Sequence, residues 1–332
     1  MNIFSGTTTD VIYQIIYIFI LMGFGVIFSR YIQASSKKET YLLCRESGVL
    51  TLTTLLMRIA FPCLIFTVML ERYSVDLISK NWMLPVLGFL MPLVGYIIGK
   101  IFLVFFNTNI NKQRAFLFNC SINNYFFFPL PIVMSTCGQE GVVLLALMTI
   151  GSETALWTLG TISITGARMD KHSLKHLLSP TLIVLFLSII IAHFTRELHF
   201  WNYRFTKIAI ESIKNTGACA IPLAMIIAGI NIGRLKPKYV FNDKWIIFIT
   251  LMRLIIIPFI LLTVLKFFVY RNILQTTGYT VASIVSVMPV AIAGAIFVEH
   301  YGGDKEFIGA SMLVTTLFML ITTPLLLIYA GI

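Results

Sequence analysis

Charged side chains are scarce in this 332-residue chain: Asp, Glu, Lys and Arg make up 12% of it, and Asp plus Glu number only 14. Against 58% hydrophobic residues and a mean hydropathy of +0.90, that leaves far more apolar surface than one soluble core of this length could hide. A water-soluble domain is excluded, and the chain belongs in lipid. The five cysteines, Cys44, Cys63, Cys120, Cys137 and Cys219, form no CxxC pair and no Cys/His cluster, so neither a disulfide framework nor a zinc site is expected. They read as buried small residues. His172 and His176 stand four apart, a spacing that could serve a metal, but they sit beside Lys171 and Lys175 with Asp170 as the one carboxylate nearby and read as a solvated face. No nucleophile stands at a useful spacing from a base, and there is no phosphate loop. The chain is not expected to be an enzyme or to carry a cofactor or metal.

Long polar connections are missing too. Ten apolar stretches, near 12–29, 47–70, 83–106, 115–136, 142–165, 179–195, 208–232, 245–269, 277–299 and 307–329, are each close to the length that spans a bilayer. What lies between them is too short for a soluble domain. The first stretch does not read as a signal peptide, because no Lys or Arg precedes it and Asp10 does. The formal charge of +11 is distributed as topology rather than as a nucleic-acid surface. Fourteen of the 25 Lys and Arg fall in alternate connections (30–46, 107–114, 166–178, 233–244 and 300–306), and the opposite set, with Arg72, Lys80, Arg196, Arg204 and Arg271, is poorer. By the positive-inside rule the first set is cytoplasmic and both termini are non-cytoplasmic, as expected for an integral protein of the cell (inner) membrane.

Ten spans divide into five and five, so the second half enters the membrane from the opposite side to the first. The expected fold is an all-α membrane protein of two inverted five-helix repeats, residues 1–166 and 179–332, joined by a cytoplasmic linker at 167–178. Proline positions support the repeat. Pro62 and Pro222 are 160 residues apart in the second span of each half, and Pro129 and Pro289 are 160 apart in the fourth; Pro92 and Pro258 form a looser pair in the third spans.

The fourth stretch, AFLFNCSINNYFFFPLPIVMS, carries Asn119, Asn123 and Asn124 ahead of Pro129 and Pro131. Two prolines remove two backbone donors, so carbonyls near residues 125 to 127 should lose helical partners. In hydrocarbon such groups survive only where they line a protected polar cavity. The ninth stretch offers a counterpart, with Ser283 and Ser286 before Pro289 and Gly294 after it. Two helices crossing at such breaks would aim half-helix N-termini at a shared point, an arrangement that favours an anion.

Three further charges lie inside spans. Glu153 is costly in lipid if charged, roughly 2.5–3.5 kcal/mol at a helix centre, and is a candidate either to carry a coupling proton or to balance a cation. Arg58, four residues before Pro62, could balance an anionic substrate or pair with Glu153. Arg253 is expected to snorkel toward the cytoplasm. Glu211 and Lys214, three apart, read as an ion pair within one helix.

These motifs resemble the auxin efflux carrier family. The resemblance lies in NNYFFFPLPIVMSTCGQEG (123–141), IPLAMIIAGINIG (221–233), MPVAIAGAIFVEHYGGD (288–304) and TTLFMLITTPLLL (315–327), and spans essentially the whole chain. The family includes the plant auxin carriers and bacterial malate and malonate permeases; the short central loop is closer to the microbial permeases. The resemblance implies ten helices in two inverted repeats, broken crossover helices four and nine, and a transport domain that moves like an elevator against a scaffold domain. It puts Asn124 on the substrate carboxylate, Glu153 near the site and Thr181 at a further polar contact. Pro129, Phe126 and Ala293 depart from the usual family residues and make the site more apolar. The function expected is secondary transport of a small organic anion, a mono- or dicarboxylate, with binding at Asn123, Asn124, Pro131, Glu153, Thr181, Pro289 and Arg58. A proton or sodium ion could couple to it. An anion channel or membrane receptor is the reading from another class, and a homodimer is an admissible assembly. Nucleic acid is not a partner.

Overall fold

The computed structural model describes residues 7–34, 46–166, 180–195, 203–234 and 243–332. The proposed linker at 167–178, with His172 and His176, lies outside these. All regular structure among the described residues is helical, apart from one isolated antiparallel bridge between Asn123 and Val290. The helices are α1 (Thr7–Ala34), α2 (Glu46–Leu55), α3 (Phe61–Arg72), α4 (Val75–Lys80), α5 (Met83–Phe105), α6 (Ile110–Ser121), α7 (Pro129–Ala155), α8 (Thr161–Thr165), α9 (Pro180–Thr195), α10 (Arg204–Ala218), α11 (Ala220–Arg234), α12 (Lys244–Leu251), α13 (Ile257–Tyr270), α14 (Thr276–Ser286), α15 (Ala293–Tyr301) and α16 (Lys305–Ala330). Wide π-helical turns at Leu56–Ala60, Leu156–Gly160 and Met252–Ile256 join α2 to α3, α7 to α8 and α12 to α13. Such turns inside long helices often mark functional positions. Those at Arg58 and Arg253 come just before Pro62 and Pro258, where the widened turn accommodates a proline inside a continuous helical run.

Seven helical runs among the described residues are long and apolar enough to cross a membrane: Val11–Gln33, Thr51–Arg72, Val75–Phe105, Pro129–Thr165, Arg204–Arg234, Lys244–Tyr270 and Lys305–Ala330. The sequence leads one to expect ten, and the difference has local causes. The fourth stretch is divided between α6 and the first turns of α7, and the fifth continues α7 beyond Gly138, whose non-helical φ of 64° and ψ of −159° break that helix in two; the ninth is divided between the short helices α14 and α15. The sixth is represented by the shorter Leu182–Thr195. Large apolar side chains such as Val104 (80% exposed) and Phe205 (82% exposed) face outward. Water would punish that surface; a bilayer covers it.

Two compact units make up the chain. One comprises Met1–Ile16, Asn81–Leu177 and Leu235–Ile332, the other Tyr17–Lys80 and Leu178–Arg234. The first unit therefore takes the last three stretches of each sequence half, and the second takes the first two of each.

In the first unit, α5 and α7 touch backbone to backbone. A Cβ on Gly88 would lie 2.1 Å from the Met148 carbonyl oxygen, and one on Gly151 would lie 1.8 Å from that of Pro85. Pro92, inside α5, cannot donate to the Gly88 carbonyl four residues back; Ser152 Oγ of α7 donates to it instead, at 3.3 Å. Side-chain oxygens of Asn109, Asp243 and Asp304 accept main-chain N–H groups at the starts of α6, α12 and α16. Lys112 Nζ also reaches Asp243 Oδ2 at 2.5 Å, tying the start of α6 to that of α12.

In the second unit, α1 and α11 meet through Gly25 and Gly229, and α3 packs against α9 and α10. Lys214 pairs with Glu71 of α3 at 2.7 Å. This corrects the reading of Lys214 as the partner of Glu211: the cation reaches across to a neighbouring helix rather than along its own.

Candidate functional site: two interrupted helices joined through their backbones

The site belongs to the first unit. α6 stops at Ser121 and α7 starts at Pro129; α14 stops at Ser286 and α15 starts at Ala293. Between these ends the chain is extended, and the two extended pieces pair antiparallel. Asn124 N donates to the Pro289 carbonyl at 2.9 Å and Ala291 N to that of Ile122 at 3.3 Å, framing the Asn123–Val290 bridge. Val290 N donates to Thr315 Oγ1 of α16 at 3.4 Å. Two short strand-like pieces thus satisfy each other where no helix is available.

Prolines act here differently from the expected kinks. Pro129 and Pro131 lie in the first turn of α7, so they begin the helix rather than open it. Of the carbonyls expected to be freed, that of Phe126 accepts from Leu130 N at 2.9 Å. Pro289 lies within the paired segment itself, where its carbonyl is used.

Both asparagines are buried, and their roles differ. Asn123 Nδ2 donates to the Val285 carbonyl at 2.6 Å and so caps the end of α14. Asn124 Oδ1 accepts from Phe127 N at 3.1 Å and Phe128 N at 3.3 Å, holding the turn that leads into α7. Asn124 Nδ2 is buried with no hydrogen-bond partner among the described residues. The oxygen of that carboxamide serves the fold, and its nitrogen is unused. Asn119, one turn back from Asn123, has both amide atoms in the same unpartnered state.

Arg253 overturns its assignment as a snorkelling residue. It is 2% exposed, and its guanidinium donates through Nε to the Met288 carbonyl (3.0 Å), through Nη2 to that of Ser286 (3.2 Å) and through Nη1 to that of Cys120 (3.4 Å). One cation therefore closes the C-terminal ends of both α6 and α14, where the helix dipoles leave partial negative charge. A lone Arg in a long apolar stretch is the signal the sequence offers.

Glu153, 3% exposed, accepts from Tyr125 Oη through Oε1 (2.9 Å) and from Trp157 Nε1 through Oε2 (3.2 Å). Tyr125 lies in the extended segment after α6, so this carboxylate anchors the interruption to the far end of α7. The Trp157 ring lies 5.1 Å from that of Phe297 on α15, which is in turn 5.4 Å from Phe118 on α6. These three rings make a wall linking α6, α15 and the π-helical turn at the end of α7. Arg58 and Thr181 belong to the second unit. Arg58 is exposed on its π-helical turn, and Thr181 occupies the first turn of α9. Among the described residues no group of three or more His, Cys, Asp or Glu could hold a metal.

Outward-facing apolar flanks and interrupted helices sealed within protein define an all-helical membrane transport protein. A family model described as membrane transport protein matches residues 10–173 and 167–327, and the chain belongs to that family, the auxin efflux carrier type. It is a family of membrane transporters, not of enzymes. No curated protein sequence matches the chain.

Proposed function

We propose that this membrane transporter is a secondary active carrier of small organic anions, mono- or dicarboxylates, working by elevator-type alternating access. Its ten spans form two inverted five-helix repeats, with stretches four and nine as the crossing helices. The observation that carries the reading is the backbone pairing at Asn123–Val290 beside a buried, unpartnered Asn124 Nδ2. Asn124 then donates to a substrate carboxylate, an unpaired donor being costly to bury until a ligand fills its place. The starts of α7 and α15 follow directly on the paired segments and add the positive ends of two helix dipoles. Asn123, Pro131 and Pro289 shape the frame, and Glu153 carries a coupling proton.

The two compact units support the elevator part of the proposal. Each draws equivalent stretches from both sequence halves, as a carrier and a scaffold built from a duplicated ancestor would. Export of an anion from a negative interior is also helped by the membrane potential, about 2.3 kcal/mol per charge per 100 mV. The test is a thermal-shift screen of the purified protein against a panel of carboxylic acids. A stabilising acid whose effect disappears in Asn124→Ala supports the assignment; an acid that protects the variant equally well refutes it.

A sodium-coupled variant is favoured by one observation, the buried and unpartnered Asn119 Oδ1, an oxygen ligand on offer beside the interruption. Replacing sodium by choline at constant pH in proteoliposomes separates the two: loss of uptake selects sodium, and unchanged uptake selects the proton.

A further inference from the structure

At the edge of the first unit, α5, α6 and α8 line an open cavity of about 440 Å³ that takes no part in the site above. Its walls come from one face of α5 (Tyr96, Lys100, Val104) and one face of α6 (Ile110, Arg114), closed by Gly166 at the end of α8. Among the described residues Lys100 and Arg114 are its charged residues, and no carboxylate lines it. Lys112, the neighbouring cation on α6, is already committed to Asp243.

Arg114 is poised for an anion. Its Nε is buried with no hydrogen-bond partner among the described residues, in a guanidinium that offers five donors and no acceptor. Gly166 makes room for it: the residue takes φ 67° to end α8, and a Cβ there would lie 2.7 Å from Arg114 Nη2. Proximity to the negative end of α8 accounts for a cation at this place. It does not account for the unused donor. Two other polar side chains of the lining are occupied: Ser163 Oγ donates to the Leu159 carbonyl and Gln113 Nε2 to Asn107 and Thr108. Lys100 Nζ stands 5.3 Å from the centre of the Tyr96 ring and is exposed on its other sides. A ligand's negative oxygens would therefore fall to Arg114 and Lys100 together, a fork and a point charge, which is the pairing that suits a phosphate group.

The surroundings indicate where that phosphate comes from. Ile101, Val104, Phe105 and Ile110, beside and within the cavity wall, are 55%, 80%, 76% and 58% exposed. This apolar surface lies at the end of α5 and the start of α6, where the acyl chains of a bilayer would cover it. We propose that the cavity binds the phosphate headgroup of an anionic phospholipid, with the acyl chains lying along Val104 and Ile110. Basic pockets between membrane helices are suited to such headgroups.

The full-length protein, delipidated in detergent, is titrated with dioleoyl phosphatidylglycerol, with dioleoyl phosphatidylcholine and with inorganic phosphate, and bound lipid is read by native mass spectrometry alongside the melting temperature. Wild type should bind phosphatidylglycerol at least tenfold more tightly than phosphatidylcholine, and Arg114→Gln and Lys100→Gln should each abolish that preference. Lys100 is exposed, so Lys100→Gln remains informative should Arg114→Gln fail to fold. Undiminished preference in Lys100→Gln overturns the proposal. Protection by inorganic phosphate equal to that by the lipid overturns the lipid assignment and makes this a site for a free phosphate-bearing ligand. Protection by malonate that is lost in Lys100→Gln also overturns it, assigning the cavity to the substrate's route.

Discussion

Arg253 Nε donates to the main-chain carbonyl of Met288 at 3.0 Å, 35 residues further along the chain, while the same guanidinium reaches the ends of two different helices. Arg253→Met leaves three buried carbonyls without their donor. With buried unsatisfied groups costing about 1–3 kcal/mol each, the variant should lose at least ~2 kcal/mol, seen as a lowered melting temperature in detergent. Arg253→Lys keeps the charge but cannot span three acceptors and should fall between Met and wild type. Equal melting of all three proteins would remove the role assigned to this residue.

Glu153→Gln is expected to fold almost normally. A carboxamide can accept from Trp157 Nε1 and donate to Tyr125 Oη, so both contacts survive and the stability change should stay under about 1 kcal/mol. Reconstituted in liposomes, this variant should still bind substrate yet no longer accumulate it under a pH gradient. Accumulation by Glu153→Gln driven by pH alone would rule out proton coupling through this carboxylate.

Close contact between α5 and α7 makes Gly151 intolerant of any side chain. Gly151→Ala places a Cβ against the Pro85 carbonyl and should cost roughly 1–3 kcal/mol through the forced backbone shift. Gly23, within α1, has nothing within 4 Å of the place a Cβ would take, so Gly23→Ala should be neutral or stabilise by roughly 0.5–1 kcal/mol. Melting curves of the two variants should move in opposite directions or differ by well over the error of the measurement.

Asp243 has two tasks, an N-cap on α12 and an ion pair with Lys112. Asp243→Asn keeps the first and gives up the second, whereas Asp243→Ala loses both. The alanine variant should be the less stable by about 1 kcal/mol, the usual worth of a cap. High salt should narrow the gap between wild type and Asp243→Asn and leave the gap between the two variants unchanged.

Helical membrane architecture is legible in composition and run length, because bilayer thickness imposes its length on apolar sequence. Asn123, Asn124 and Pro289 are legible because amides and prolines are out of place in lipid. The function of each proline is harder to read. Sequence alone does not distinguish a proline that breaks a helix from one that begins the next, and Pro129 and Pro131 do the second. Arg253 misleads because its nearness in sequence to the span boundary suggests an easy route to water; its partners at Cys120, Ser286 and Met288 arrive from segments far along the chain. Lys214 and Glu71 show the same limit, 143 residues apart in sequence and 2.7 Å apart in space. The split of Asn124, oxygen to the helix and nitrogen unspent, is a matter of side-chain orientation that no spacing encodes.

Each compact unit is assembled from both halves of the polypeptide, and this bears on how the protein is made. While the ribosome is still translating the second half, α6 and α7 are already in the membrane, but Val290 and Arg253, which seal them, have yet to be inserted. The nascent intermediate must therefore keep its polar interruption shielded, by the translocon or an insertase, until the final helices arrive.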